Sequence, residues 1–278
     1  MLDLSNGPRH LATIHHRFTD ESLDDDLHIR AFKAFDASQY TTRELHRGRR
    51  AWELRTLDEF RSQVAFTEML SEMTEIGLPF DILGAGIRIV RDEARHVELC
   101  RRMVIALGGD GVINKEPTFV RSNKKLSPRE RILRCAMGSL CIGETISVRL
   151  LAAVRDEAKD PLARSVLQQL VEDESIHSRF GWRLMEHLAP TLTAKEHKAL
   201  TKLLPRYLRS AEKSVESSAK PAPTTERPLV TGPTMPFGSL PAKQRREIFY
   251  KSIQDDVIRR FEKSGFKANE AWEKRPRS

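Results

Sequence analysis

Apolar positions set the first element. Between about Glu44 and Glu75, Trp52, Phe66, Leu70 and Met73 recur on one face of a helix. Gly77 then supplies a C-terminal stop, and Pro79 suits the first turn of a second helix that runs to about Leu107 and ends at Gly108-Gly109. Residues 110–126 read as a long connection. Ser127-Pro128-Arg129-Glu130 joins a capping serine, a first-turn proline and a reciprocal glutamate, and opens a third helix to about Asp156. Asp160-Pro161 opens a fourth, which stops at Ala189-Pro190. Thr193-Ala194-Lys195-Glu196 is a second capping box and opens a fifth helix to about Ser217.

The ends of the chain read differently. Residues 1–43 lack a long period and carry Asp24-Asp25-Asp26, so they are expected to form an irregular arm with at most one short helix. Residues 218–241 hold six of the fourteen prolines and are expected to be an extended linker without a packed core of its own. An amphipathic helix from about Pro241 to Lys263 follows, and the last ten residues read as frayed. The expected division is therefore arm 1–43, helical bundle 44–189, additional helix 190–217, linker 218–241, and C-terminal helix and tail 242–278. Short joints make antiparallel neighbours. The fold class is all-α: a four-helix bundle with one long crossover between its second and third helices, plus C-terminal helices.

Composition narrows the class. With 31% charged and 39% hydrophobic residues, and no run of 18 uninterrupted apolar residues, the sequence gives no reason to expect a membrane span. The N-terminus lacks a basic start followed by an apolar core, so no secretory signal is expected. Three cysteines, Cys100, Cys135 and Cys141, do not make a disulfide framework and fit a reducing, cytoplasmic setting. The net charge of +8 permits a polyanionic partner, but Lys and Arg are scattered along the chain, and nucleic acid is not the expected one.

The second helix contains Asp92-Glu93-Ala94-Arg95-His96, and the fourth contains Asp173-Glu174-Ser175-Ile176-His177. At i and i+3, Glu and His project from one helix face, one turn apart, and can reach a single metal ion. Chance supplies roughly one Glu-x-x-His in a chain like this, but two copies that both carry the preceding Asp are expected only about 0.001 times. Both lie about 14 residues beyond their helix starts, in mostly apolar stripes. A lone carboxylate there needs a metal, a proton or a partner. The remaining helices offer two more. Glu144 lies among Met137, Leu140, Cys141, Val148 and Leu151. Glu59 shares its face with Trp52, Gln63, Phe66, Leu70 and Met73, whereas Glu68 lies about 180° away beside Arg61 and Glu72, on the side expected to be wet. The halves then repeat: Glu59 precedes Glu93 by 34 residues, and Glu144 precedes Glu174 by 30.

The series Glu59, Glu93-x-x-His96, Glu144, Glu174-x-x-His177 resembles the di-iron carboxylate branch of the ferritin-like superfamily, which includes rubrerythrins, bacterial multicomponent monooxygenases, acyl-carrier-protein desaturases and ribonucleotide reductase small subunits. The stretches DEARH and DESIH are most similar to the monooxygenase and desaturase form. The resemblance spans about residues 59–177 and leaves out the arm, the linker and the C-terminal helix. It implies Glu59, Glu93, His96, Glu144, Glu174 and His177 as metal ligands. It implies Asp92 and Asp173 as acceptors for the ring N–H groups, crosswise, Asp92 to His177 and Asp173 to His96. Such acceptors fix the tautomer and orientation of a ligating histidine. Arg95 either pairs with such a carboxylate or lies in solvent. Arylamine N-oxygenases of the superfamily add a histidine four residues before the last Glu; here that position is Leu170, which disfavours that subfamily.

Four carboxylates and two imidazoles suit iron or manganese, and the expected cofactor is two iron ions, with manganese or a mixed pair as substitutes. The expected reaction is O₂ activation for oxidation of a small organic substrate, with electrons from an external donor, since rubredoxin-type cysteine pairs are lacking. Gln63, Phe66, Leu70, Val148 and Leu151, one or two turns from the ligands, are expected to line the substrate cavity. Alternatives are a ferroxidase or peroxide handler without an organic substrate, an RNA-modifying hydroxylase, or a non-catalytic binding protein. A homodimer is compatible with each.

Overall fold

The computed structural model describes residues 2–3, 26–113, 123–217 and 235–276. Over these the chain is almost entirely helical. The exception is one antiparallel pair, β1 (Leu2–Asp3) with β2 (Val112–Ile113). Most of the proline-rich stretch, residues 218–234, lies outside the described residues, as do 4–25 of the N-terminal arm and 114–122 of the long connection.

Helix α1 (Asp26–Ala34) lies inside the expected arm and packs on the fourth long helix. Helix α2 (Thr42–Glu75) starts two residues earlier than the periodicity indicates, because Thr41 and Glu44 form a capping box: Glu44 N–H donates to Thr41 Oγ1 (3.2 Å), and Thr41 N–H to Glu44 Oε2 (2.9 Å). Helix α3 (Phe80–Ala106) runs back along α2. Both helices end in a glycine of positive φ, Gly77 at 65° and Gly108 at 83°. The next N–H reaches back over the last turn in each case, Leu78 to Met73 O (3.1 Å) and Gly109 to Val104 O (2.9 Å). A side chain at either glycine would strain this left-handed backbone.

Helix α4 (Pro128–Glu157) begins at the expected Ser127/Glu130 capping box. Its middle departs from α-geometry: Ala136–Glu144 is a π-helix. Helix α5 (Pro161–Leu188) starts at Asp160, whose Oδ1 accepts from Ala163 N–H (2.7 Å), and it packs along α4. At Gly181 an added Cβ would stand 2.4 Å from Leu140 Cβ of α4, so only glycine fits there without displacement. By length and composition α4 could also cross a membrane, but half of its most apolar stretch is buried against other helices of the chain.

Helix α6 (Ala194–Ser217) covers the π segment, laying the Tyr207 ring on Gly138. Residues 242–263 form helix α7, interrupted by a second π segment, Ile253–Ile258. It packs on the second half of α4, where Arg149 pairs with Asp256 (3.0 Å).

Two expectations for the C-terminal third are corrected. Residues 235–240 are not a free linker. Phe237 is 1% exposed, its ring 4.7 Å from that of Tyr40, and Pro236 O accepts from the N–H groups of Lys159 and Asp160 (2.9 Å each). Phe237 and Leu240 bury enough apolar surface to dock the segment despite its prolines. The final residues are not simply frayed either. Helix α8 (Ala268–Glu273) packs on α6, and Arg275 grips Glu212 through both Nε and Nη2 (2.9 Å each).

A candidate metal centre between four helices

Each long helix sends one acidic position to a common interior point. Glu59 comes from α2, Glu93 and His96 from α3, Glu144 from α4, and Glu174 and His177 from α5; all six are buried. Glu59 Oε2 lies 3.3 Å from His96 Nδ1. Glu93 and Glu174 each approach both imidazoles. Glu93 lies 3.8 Å from His96 Nδ1 and 3.1 Å from His177 Nδ1, and Glu174 lies 3.6 and 3.1 Å from the same atoms. The ring centroids are 5.7 Å apart.

Among the described residues, two groups of side chains could each hold a metal ion. Glu59, Glu93, His96 and Glu174 form one, and Glu144, Glu174 and His177 the other, with donor atoms within 4.8 Å of one another in each. Glu174 belongs to both. Neither group contains a cysteine; Cys100 and Cys141 are buried in the apolar core.

The outward nitrogens of the histidines are turned to the other helix. His96 Nε2 lies 3.0 Å from Asp173 Oδ2, and His177 Nε2 lies 3.5 Å from Asp92 Oδ2. Arg95 is 4% exposed and joins the two aspartates, donating from Nη2 to Asp92 Oδ1 (3.1 Å) and to Asp173 Oδ2 (2.6 Å). Of the two readings of Arg95, the paired one describes the structure. Two further donors escaped the sequence reading. Gln169 Nε2 donates to Asp173 (3.1 Å) and Arg88 Nε to Asp92 (3.3 Å). Each stands four residues ahead of its aspartate, a spacing that the helical i, i+4 rule could have flagged.

The electrostatics of this interior are unusual. Six buried carboxylates (Glu59, Glu93, Glu144, Glu174, Asp92 and Asp173) share their space with the buried guanidinium of Arg95 and two imidazoles. Burial, and then the nearby Glu174 carboxylate, push the Glu93 and Glu144 carboxyls up. Burial alone would raise Glu174 too, but contacts with His177 and Glu144 hold it down. Burial disfavours charge on His96, yet Asp173 and Glu59 keep it protonated well above its ordinary range. Asp92 and Glu174 do the same for His177. Protons therefore balance the excess negative charge, which is the role a bound cation would take. The donor set fits such a cation: both oxygens of Glu93 and the Nδ1 of His96 are buried without a hydrogen-bond partner.

Glu68 is not part of the cluster, but the helix face it shares with Glu72 is not wet. Glu72 is 4% exposed and pairs with Arg131 at the start of α4 (2.5 Å), because α4 closes over that side of α2. Nor are the five expected cavity residues gathered into one described space. Phe66 packs in the core cluster around Met69 and Met137, its ring 6.5 Å from that of His177. Leu151 packs in a different cluster with Trp52 and Leu167. Leu70 lies against Gly86, and Gln63 and Val148 are half-buried. Comparison with protein-family models, curated proteins and solved structures finds no match to this chain.

Proposed function

We propose that the chain is a ferritin-like di-iron carboxylate oxidoreductase that activates O₂ to oxidise an organic substrate. The observation that carries this reading is the pair of candidate metal groups sharing Glu174, with Glu93 in reach of both histidines. Glu59, Glu93 and His96 would hold one ion and Glu144 and His177 the other, with Glu174 between them. Hard carboxylate oxygens with imidazole nitrogens favour iron or manganese over copper or structural zinc. Inward ligands from four helices, two of them carrying a Glu-x-x-His segment, are what a ferritin-like bundle would present, and this supports the reading.

When bound, the metal pair supplies the redox chemistry that amino-acid side chains lack. The chain's own part is positional. Asp173 holds the outward nitrogen of His96, and Asp92 faces that of His177 at 3.5 Å, so that each Nδ1 is turned to the carboxylates. Arg95 stops the two aspartates from repelling each other. The buried ring of Phe66 lies 6.5 Å from that of His177 and covers that side of the site with apolar surface. The electrons come from an external donor.

A second reading, a ferroxidase or peroxide handler without an organic substrate, is favoured by one observation: Phe66 and Leu151 are packed into separate parts of the core instead of lining a shared cavity. Metal analysis after anaerobic ferrous loading, followed by oxygen exposure with ultraviolet–visible detection, tests both. Two irons per chain and an oxygen-dependent absorption change are expected; in Glu93→Ala and in His177→Ala the absorption change should be lost and the iron content should fall to one per chain or below. A wild-type chain that takes up no metal overturns both readings. Oxygen consumption that is stimulated by organic candidates and yields an oxidised product separates the first from the second.

A further inference from the structure

At the C-terminal end of α5, a groove of about 590 Å³ opens between α5 and α7. Arg179, Arg183, Arg260 and Lys263 line it together with Trp182 and the carboxylate of Glu186. Glu186 pairs with Arg183 at 2.9 Å, so three positive charges remain in excess within the lining. A scattered basic surface needs no concavity and no fixed side chains. This groove is concave, and two of its four cations have a fixed neighbour, Arg183 on Glu186 and Arg260 on Trp182. The Arg260 guanidinium lies 5.3 Å over the Trp182 ring, which orients its donors before any ligand arrives.

We propose that this groove binds an organic phosphate. Its volume falls in the range of about 300–1,000 Å³ typical of small-molecule sites, more room than a lone inorganic ion fills. Guanidinium groups match phosphate oxygens in pairs, and Arg179 and Arg260 present two of them from different helices. Lys263 adds a point charge. The groove also touches the interior. The Trp182 indole N–H donates to Thr145 Oγ1 (3.0 Å), and that hydroxyl lies 2.9 Å from Ser178 Oγ. Thr145 follows Glu144 and Ser178 follows His177, so a ligand that draws Arg260 off the indole would be sensed next to two of the candidate metal ligands. The binding proposal itself does not depend on the metal reading.

Isothermal titration of the full-length chain tests it, with adenosine diphosphate, inorganic pyrophosphate and phosphatidylglycerol vesicles as separate probes. The double variant Arg179→Ala/Arg260→Ala removes the groove's guanidiniums. Lys243→Ala/Arg246→Ala removes the same charge from the exposed start of α7. Saturable binding of adenosine diphosphate is expected, tighter than that of pyrophosphate. It should weaken about tenfold or more in the groove variant and stay within about twofold in the control. Tryptophan fluorescence should change on binding in wild type and not in Trp182→Phe. Vesicle binding alone, lost in the groove variant, would assign the phosphate to a lipid headgroup. No binding of any probe, or equal weakening in both double variants, overturns the proposal.

Discussion

The two Asp-Glu-x-x-His segments are near copies in sequence and unequal in space. Asp173 Oδ2 accepts from three donors: His96 at 3.0 Å, Arg95 at 2.6 Å and Gln169 at 3.1 Å. Asp92 has more partners at longer distances: Arg95 at 3.1 Å, Arg88 at 3.3 Å, Arg91 at 3.5 Å and His177 Nε2 at 3.5 Å. The inequality begins at one position. The residue before the histidine is Arg95 in the first segment and Ile176 in the second. Because the two segments face each other, one guanidinium serves both aspartates, and a second arginine would place an extra buried charge where no carboxylate is free to meet it. The lesson is that a sequence repeat need not be a repeat of roles: the pair works as one unit across the helix interface.

The strongest break of this near-symmetry lies at Glu174, which belongs to both candidate metal groups. Glu174→Ala should abolish uptake of both ions, whereas Glu59→Ala and Glu144→Ala should each leave one; metal counts per chain decide this. Loss of one ion only in Glu174→Ala would refute the shared role. Next is Arg95→Ala, which removes the one guanidinium shared by two buried aspartates and should cost about 3 kcal/mol of stability, read as a lowered urea midpoint. A solvent-exposed arginine would cost almost nothing.

A smaller effect separates the two aspartates. Asp173→Asn should weaken metal binding about 10–100-fold, and Asp92→Asn should fall at or below the lower end of that range. Equal losses, by competition with a metal-binding dye, would show that the inequality of donors has no energetic weight. The gentlest test is pH. His96 and His177 hold protons well above the ordinary imidazole value of 6.5, and burial raises Glu93 and Glu144 as well. Metal must displace these protons, so its affinity should rise with pH through and beyond that value, until the raised folded-state titrations are complete. Affinity that is flat or falling between about pH 6 and about pH 8 would contradict the charge balance described above.

Much of the helical layout was legible in the sequence because its signals are local. Ser127 with Glu130 and Thr193 with Glu196 form the capping boxes their spacing indicates. Gly77 and Gly108 end their helices as glycines do. Glu59 could be separated from Glu68 by helical phase alone, and it is Glu59 that lies beside His96. What escaped depends on partners distant in the chain. Glu72 lies on the face that phase marks as wet, yet Arg131 arrives from another helix to cover it. Phe237 sits in a proline-rich stretch and is buried by Phe35, Tyr40 and Trp52, far ahead of it in the chain.

The sequence by itself determined the all-helical class and the presence of paired carboxylate–imidazole faces, because helix phase and capping act over a few residues. Only the tertiary structure decided how those faces combine. It left Asp92 farther from His177 (3.5 Å) than Asp173 is from His96 (3.0 Å), made Arg95 a link between both aspartates, and widened α4 into a π segment that ends at Glu144. The reason is that charge burial is a collective quantity: no single helix reveals which carboxylates will share one dry space, and that sharing turns two local motifs into one candidate metal centre.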